Sequence, residues 1–418
     1  MTNKRYYNFL IFACAFLWIM MLGSKNVYTA ELSVVMEVFK VSRSEASLAM
    51  NYYFVIYSIT QIILFFIMRR INIKWYMLCC VLFSGVITVL VAFMTNMWQL
   101  SWLLALNGIL QAGGWGMCIA VIKKYLPANM LPKANAIMNI GMAIGGIISY
   151  AFSAIFVSLG LWNLPFVILG VILAFSGVLF FIAVHLCQKH TGEKNQISAK
   201  ENEAEDQNSF DDAIFKLTSP TRKFFFYILT FFLSFFVHYV YYGALNWMPN
   251  FLTGVFGLEQ SVGILIATLA PIATMAGPII AIYHCEKVKN YISVTTLYMG
   301  LGLLLCTLLI FIFEFNIIIS CLVLILFLVF AQIVITIIFS VLSFKMSYFI
   351  DTGTHSCLMN AAGGFAAGFA PTLTGLVIDN AGWQISYAVL SAICLLVIAT
   401  LVIVNLSLNK RKIKSFNK

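Results

Sequence analysis

The sequence predicts an all-α membrane protein of twelve transmembrane helices, set as two pseudo-symmetric six-helix bundles. Three observations carry that expectation. The 418 residues are 62% hydrophobic and only 10% charged, too little polar surface to cover a soluble chain of this length. Apolar runs of about 20 residues recur from end to end, the length at which a helix crosses a bilayer. One polar stretch, residues 188–216, divides those runs six and six.

The spans are expected near 7–34, 46–68, 75–95, 98–122, 134–158 and 163–186, then 224–250, 259–284, 291–312, 316–342, 354–377 and 384–407. Strands are excluded, because the runs are long and lack the period-two alternation of a barrel. Lys4 and Arg5 precede the first run, which has no small-residue cleavage site and outlasts a signal peptide's apolar core. It reads as a retained first span.

Charge sets the orientation. With both termini in the cytoplasm, 22 of the 25 Lys and Arg fall on cytoplasmic segments. Lys40 and Arg43 face out, and Lys25 is left within the membrane. This follows the positive-inside rule and predicts a multi-pass protein of the plasma or inner membrane. The net charge of +10 is thus accounted for by topology, and no nucleic acid partner is called for. The divider, "QKHTGEKNQISAKENEAEDQNSFDDAIFK", is polar and mixed in charge, so it reads as a flexible cytoplasmic linker. The expected domains are 1–186, 187–223 and 224–418.

The halves look related. Span five runs 24 residues from Asn139 to Trp162, and span eleven runs 24 from Asn360 to Trp383. Both crowd Gly and Ala into their first third. A duplicated six-helix unit is the sequence signature of alternating access. The small residues let helix backbones approach closely, as static packing or as a sliding surface. In span eight, "ATLAPIATMAGPIIA", Pro271 and Pro278 are placed to kink the helix.

Catalytic signals are missing. The ten cysteines are scattered with no C-x-x-C, which argues against a disulfide framework or metal site. No H-E-x-x-H, Walker loop or G-x-S-x-G occurs. Neither an enzyme nor a bound cofactor is expected.

The polar residues inside the spans point instead to a solute. Lys25 shares a helical face with Trp18, Met21, Leu22, Tyr28 and Thr29. An ammonium there costs roughly 3 kcal/mol on insertion scales, so it needs a cavity or a partner. An anion brought by the substrate is one answer. Snorkelling to the surface and pairing with a carboxylate near Glu31 or Glu37 are the others. In span seven, "FFVHYVYYGALNWMPNFL", His238, Tyr241 and Tyr242 lie on one side, with Asn246 and Trp247 beyond. Trp247, beside Pro249, also suits an interfacial belt. Span two offers Tyr57 and, one turn on, Gln61, either as cavity donors or as interhelical glue. In span four, Trp115 of "QAGGWGMC" is placed to pack across to span one.

These stretches resemble the major facilitator superfamily, and more narrowly its organophosphate–phosphate antiporter branch. The segments that carry the resemblance are "SKNVYTAEL", "LNGILQAGGWGMC", "YYGALNWMPNFL" and "GLVIDNAGW". The branch implies an arginine beside the span-one lysine, where this chain has Ser24, and another in span seven, where it has Tyr241. A lysine of the branch falls at Gln61 and a histidine near Met142. One cation therefore remains of several, which shifts the expectation from a phosphate dianion toward a monoanion such as a carboxylate. The superfamily's inner-loop motif is degraded in "FFIMRRINIK", which keeps Arg70, while "YHCEKVK" keeps Glu286 and Lys287. The resemblance makes Arg70, Glu286 and Lys287 the gating candidates.

The expected protein is a secondary transporter of a small organic anion, acting as a monomer in the lipid bilayer. Lys25 would supply charge, and Tyr57, Gln61, Trp115, His238, Tyr241, Tyr242 and Asn246 would shape the site. A counter-transported anion is expected ahead of a proton, since no mid-span carboxylate offers an evident relay, although His238, Glu31 and Asp379 keep proton coupling open. A transporter-like solute receptor and an efflux carrier for amphipathic compounds are the alternatives.

Overall fold

The computed structural model describes residues 2–67, 70–191, 220–288, 290–342 and 352–416. The linker 192–219, with Arg69, Lys289 and Lys345, lies outside the described residues.

The first half holds α1 (Thr2–Ala30), α2 (Leu32–Phe39), α3 (Arg43–Ile67), α4 (Ile73–Val91) and α5 (Met97–Gln111). It continues with α6 (Gly114–Tyr125), α7 (Leu131–Ser158) and α8 (Leu164–Thr191). The second half holds α9 (Pro220–Leu245), α10 (Met248–Phe256), α11 (Gln260–Ala267), α12 (Leu269–Thr274) and α13 (Ala276–Val288). Then come α14 (Tyr291–Ile312), α15 (Ile317–Thr336), a π turn at Ile337–Val341, and α16 (Thr352–Phe416).

Local chemistry explains the boundaries. Ser42 and Glu45 form a reciprocal capping box at the start of α3, with Ser42 N–H donating to Glu45 Oε2 at 2.9 Å and Glu45 N–H donating to Ser42 Oγ at 3.3 Å. Asn96, Asn290 and Asn316 cap α5, α14 and α15 by accepting from backbone N–H groups. Pro271 and Pro278 each lack the N–H that would close the preceding turn. Span eight is accordingly broken into α11, α12 and α13, as its sequence leads one to expect.

Ten described runs are long and apolar enough to cross a membrane. One, Leu358–Leu406, has 49 residues, about 74 Å of helix and twice what a bilayer core needs. It turns at Gly382, whose φ of 81° and ψ of 177° suit glycine, and so supplies the eleventh and twelfth spans. The fifth is the shorter apolar stretch Ala143–Ser158 of α7. Counted this way, every expected span has its helix.

The chain forms two compact units. The first gathers Met1–Val41, Leu48–Ser209 and Glu259–Pro271; the second gathers Ser42–Ser47, Phe210–Leu258 and Ile272–Lys418. In the first unit α1 is the buried axis, with 72% of its apolar window inside, and it packs on α6, α7 and α8. Its core joins Leu10, Leu17 and Met21 of α1 to Met117 of α6, Met138 of α7 and Phe180 of α8. Helix α4 lies along α8, and glycines set the distance. A Cβ on Gly85 would stand 2.6 Å from the Gly170 carbonyl oxygen, and one on Gly170 would stand 2.8 Å from that of Gly85. Helices α1 and α7 meet the same way, since a Cβ on Gly145 would stand 2.9 Å from the Ile19 carbonyl oxygen. In lipid, where apolar burial drives little association, such close backbone packing does much of the work.

In the second unit α9 packs on α15 and α16, and α14 packs on the same two helices. Trp247 is 1% exposed, and its indole N–H donates to the Pro371 carbonyl at 2.9 Å. This corrects the interfacial-belt option for Trp247. A buried indole needs an acceptor, and α16 provides one. Outward faces carry large apolar groups such as Phe311 and Leu304 of α14, 77% and 61% exposed, as suits helices that meet lipid tails.

Candidate functional site

The expected site residues fall into two groups, one in each unit. Lys25, Tyr57, Gln61 and Trp115 belong to the first; His238, Tyr241, Tyr242 and Asn246 belong to the second.

Lys25 sits in the last two turns of α1, half-buried. Its Nζ lies 5.1 Å from the centroid of the Phe54 ring on α3, a cation–π contact worth about 1 kcal/mol. Among the described residues no carboxylate lies within salt-bridge distance of it. Pairing with Glu31 or Glu37 is therefore not the arrangement found. Trp115 packs across to span one as expected, with its ring 5.2 Å from that of Trp18.

Gln61 is used for tethering. Its side-chain N–H groups donate to Tyr57 Oη at 3.0 Å and to the Ala112 carbonyl at 3.2 Å, which ties α3 to the junction of α5 and α6. Tyr57 stacks on Tyr53 at 5.9 Å. Tyr53 in turn enters a buried network that sequence periodicity did not reveal. Its hydroxyl donates to Gln111 Oε1 at 2.8 Å. Gln111 Nε2 donates to Ser84 Oγ at 2.9 Å and to Ser24 Oγ at 3.4 Å. Ser84 donates to Asn107 Oδ1 at 2.5 Å, and Asn107 Nδ2 donates to Thr88 Oγ1 at 3.2 Å. Ser24, which stands where the resembling branch has an arginine, is thus one node of a network that spans α1, α3, α4 and α5.

In the second unit, His238 Nδ1 donates to the Ser234 carbonyl at 2.7 Å, and its ring stacks on Tyr242 at 6.1 Å. The ring lies against Gly363, where a Cβ would stand 3.0 Å away. Tyr241 is buried beside Thr274 of α12 and meets Tyr242 edge-on at 5.2 Å. Asn246 ends this row at the break between α9 and α10. It is 3% exposed, and its Nδ2 has no hydrogen-bond partner among the described residues.

The gating candidates lie apart from these groups. Arg70, Glu286 and Lys287 are exposed, and none makes an ion pair among the described residues. The ion pair that is present involves other residues. Arg43 Nη1 donates to Asp379 Oδ1 at 2.8 Å and Arg43 Nε donates to Asn250 Oδ1 at 2.9 Å. The Arg43 guanidinium also lies 5.8 Å from the Trp383 ring centroid, and Ser44 N–H donates to Asp379 Oδ2 at 3.3 Å. Asp379 is therefore a structural partner. With both side chains about a quarter exposed, a double-mutant cycle on Arg43→Ala and Asp379→Ala should return a coupling of about 1 kcal/mol in thermal unfolding, smaller at high salt. A coupling near zero would show the contact to be incidental.

A cavity of about 320 Å³ lies in the first unit, lined by Asn8, Phe12, Phe16 and Lys133 among others. It is on the half of α1 before Lys25, and its lining is mostly apolar.

Residues 11–353 match the model of the Major Facilitator Superfamily. Over 119 residues the chain is 25% identical to the glucose-6-phosphate exchanger SLC37A2 of Danio rerio; the match covers 27% of this chain and 24% of that protein. The chain thus spans about a quarter of the length of that curated relative. Among solved structures, a bacterial homolog of the human lysosomal transporter Spinster, inward-facing and unoccupied, superposes with a TM-score of 0.76 at 15% identity, covering 98% of both chains. The D-xylose-proton symporter gives 0.72 at 13% identity, covering 94% of this chain and 97% of the other. The nucleoside transporter NupG gives 0.67 at 12%, covering 96% and 98%.

Proposed function

The chain belongs to the Major Facilitator Superfamily, and from that premise we propose that it is a secondary active transporter of a small organic anion, a carboxylate or an organophosphate, moved by alternating access. It acts as a carrier without catalytic residues or cofactor, as a monomer in the plasma or inner membrane with both termini cytoplasmic. The 22 cytoplasmic Lys and Arg support that orientation.

The observation that carries the reading is Lys25. Its ammonium is half-buried within an apolar helix, and no carboxylate stands within salt-bridge distance among the described residues. A charge so placed gains most from an anion the solute provides. One cation suits a monoanion better than a phosphate dianion, whose second charge would go uncompensated. The likeness to a glucose-6-phosphate exchanger supports an anionic solute. His238, Tyr241 and Tyr242 on α9, with Asn246 at the break that follows it, contribute orientation through their polar groups.

The test is uptake into proteoliposomes from a panel of lactate, glucose 6-phosphate and xylose, after a thermal-shift screen of the same compounds. A bound anion raises apparent stability with the logarithm of its concentration over its dissociation constant. Saturable uptake of an anion, with counterflow, is expected. Binding without counterflow would make the chain a solute receptor. Uptake confined to xylose would remove the role given to Lys25.

A further inference from the structure

Helices α1 and α7 touch at glycines, and a cleft lies along them on the N-terminal side of that crossing. A Cβ on Gly145 would stand 2.7 Å from Leu22 Cβ, and one on Gly141 would stand 3.1 Å from Ile19 Cγ1. The cavity of about 320 Å³ begins where this contact ends, and its lining comes from these two helices. Ile19 belongs to both, as the side chain at the crossing and the last residue of α1 to line the cleft.

The lining is sorted along its length. Asn8 of α1 and Lys133 of α7 are its first residues on their helices, and both are exposed. Past them it is wholly apolar, with Phe12 and Phe16 of α1 facing Ile137 of α7. Lys4, one turn before Asn8 on the same face of α1, is exposed as well. Neither helix carries an Asp or Glu, and Lys133 makes no ion pair among the described residues. Phe12 is 57% exposed, so the cleft is open sideways. Its dimensions are telling. At 1.5 Å per residue the stripe from Asn8 to Ile19 rises about 16 Å, close to half of a hydrocarbon core about 30 Å thick. Spread over that length, 320 Å³ leaves a cross-section of about 20 Å², roughly a quarter of what a helix about 10 Å across fills. One extended chain enters; a helix does not.

We propose that this cleft binds one anionic phospholipid of the leaflet at the N-terminal end of α1. An acyl chain lies along Phe12 and Phe16 as far as Ile19, and the phosphate meets the ammonium groups of Lys133 and Lys4 and the Asn8 amide. Basic side chains at a membrane surface draw anionic headgroups, and an apolar cleft one leaflet deep takes the tail. A zwitterionic lipid gains the tail contact without the net attraction of its head. A small hydrophilic anion gains the head contact and leaves the apolar length unfilled. The chain packs against α1 and α7 together, so it braces their glycine crossing from one side. Lys25 lies six residues beyond Ile19, past that crossing, so this site is separate from the one proposed for the solute and does not depend on the transporter reading.

Photolabelling tests the site directly. The full chain is placed in nanodiscs of dioleoylphosphatidylcholine with a trace of phosphatidylglycerol that carries a diazirine near the end of one acyl chain. After irradiation, adducts are mapped by mass spectrometry, with the lipid-facing Phe311 and Leu304 of α14 as the reference for casual contact. Labelling should concentrate on α1 between Phe12 and Ile19 and on α7 at Ile137, and unlabelled dioleoylphosphatidylglycerol should displace it. Lys133→Gln, at an exposed position, should lower it about fivefold relative to α14, the factor one lysine contributes toward an anionic lipid. Ile137→Trp fills the cleft and keeps the charge, so it should abolish cleft labelling; should that variant fail to fold, the Lys133→Gln arm decides. Adducts no denser in the cleft than on α14 would overturn the proposal, as would labelling unchanged in Lys133→Gln. Equal labelling by a phosphatidylcholine probe would remove the role given to charge. Displacement by glycerol 1-phosphate alone would make this a free-anion site and overturn the lipid.

Discussion

Lys25→Met is expected to weaken anion binding about 100-fold while leaving the fold intact. A hydrogen bond to a charged group in a desolvated site is worth up to about 3 kcal/mol, and each 1.4 kcal/mol is a factor of ten. Methionine keeps an unbranched stem and removes the charge that stands over the Phe54 ring. Without solute, the variant should be at least as thermally stable as the wild type, because burying the ammonium costs roughly 3 kcal/mol on insertion scales. The combination distinguishes a binding role from a structural one: loss of the ligand-induced thermal shift with no loss of basal stability. Unchanged affinity in this variant would favour the efflux-carrier alternative, in which a broad apolar cavity does the binding.

Gly170→Val should cost the fold more stability than any substitution at the candidate site. A Cβ at that position meets the backbone of α4, the Gly85 carbonyl oxygen at 2.8 Å and the Val89 N at 3.0 Å. Backbone cannot rotate away as a side chain can, so α4 and α8 must separate along their length. Overpacking of this kind costs about 3 kcal/mol or more. Gly85→Val should behave alike, from the other side of the same crossing. Gly116→Ala is the control, because nothing lies within 4 Å of a Cβ there and a helical alanine gains about 1 kcal/mol over glycine. Thermal unfolding in detergent and size-exclusion profiles read out all three. A Gly170→Val protein as stable as the wild type would show that the crossing is loose.

Much of this architecture was legible in the sequence, because hydropathy and charge asymmetry act over whole segments. The twelve runs, the small-residue helix crossings and the broken span eight follow from patterns that a bilayer imposes. The contact of Trp115 with Trp18 was also readable, as a large aromatic beside glycines opposite another helix. The tertiary polar partners were not. Helical periodicity says which face a residue occupies but not what that face meets. Gln61 looked equally suited to cavity and glue, and its hydrogen bonds to Tyr57 and Ala112 show the second use. Asp379 looked like a proton group until Arg43, 336 positions away, was found on it. Glu31 was one of the groups that kept proton coupling open, but nothing in its neighbours' identities announces that it is fully buried.

Gln111 carries one more implication. A single amide touches Ser24, Tyr53 and Ser84, and through Ser84 it reaches Asn107. Four helices are laced at one depth, one residue along from Lys25. Under the proposed function, a solute that tugs on the ammonium would not draw its own helix alone; it would drag a stiff block with it, as a handle fixed to a door rather than to a curtain.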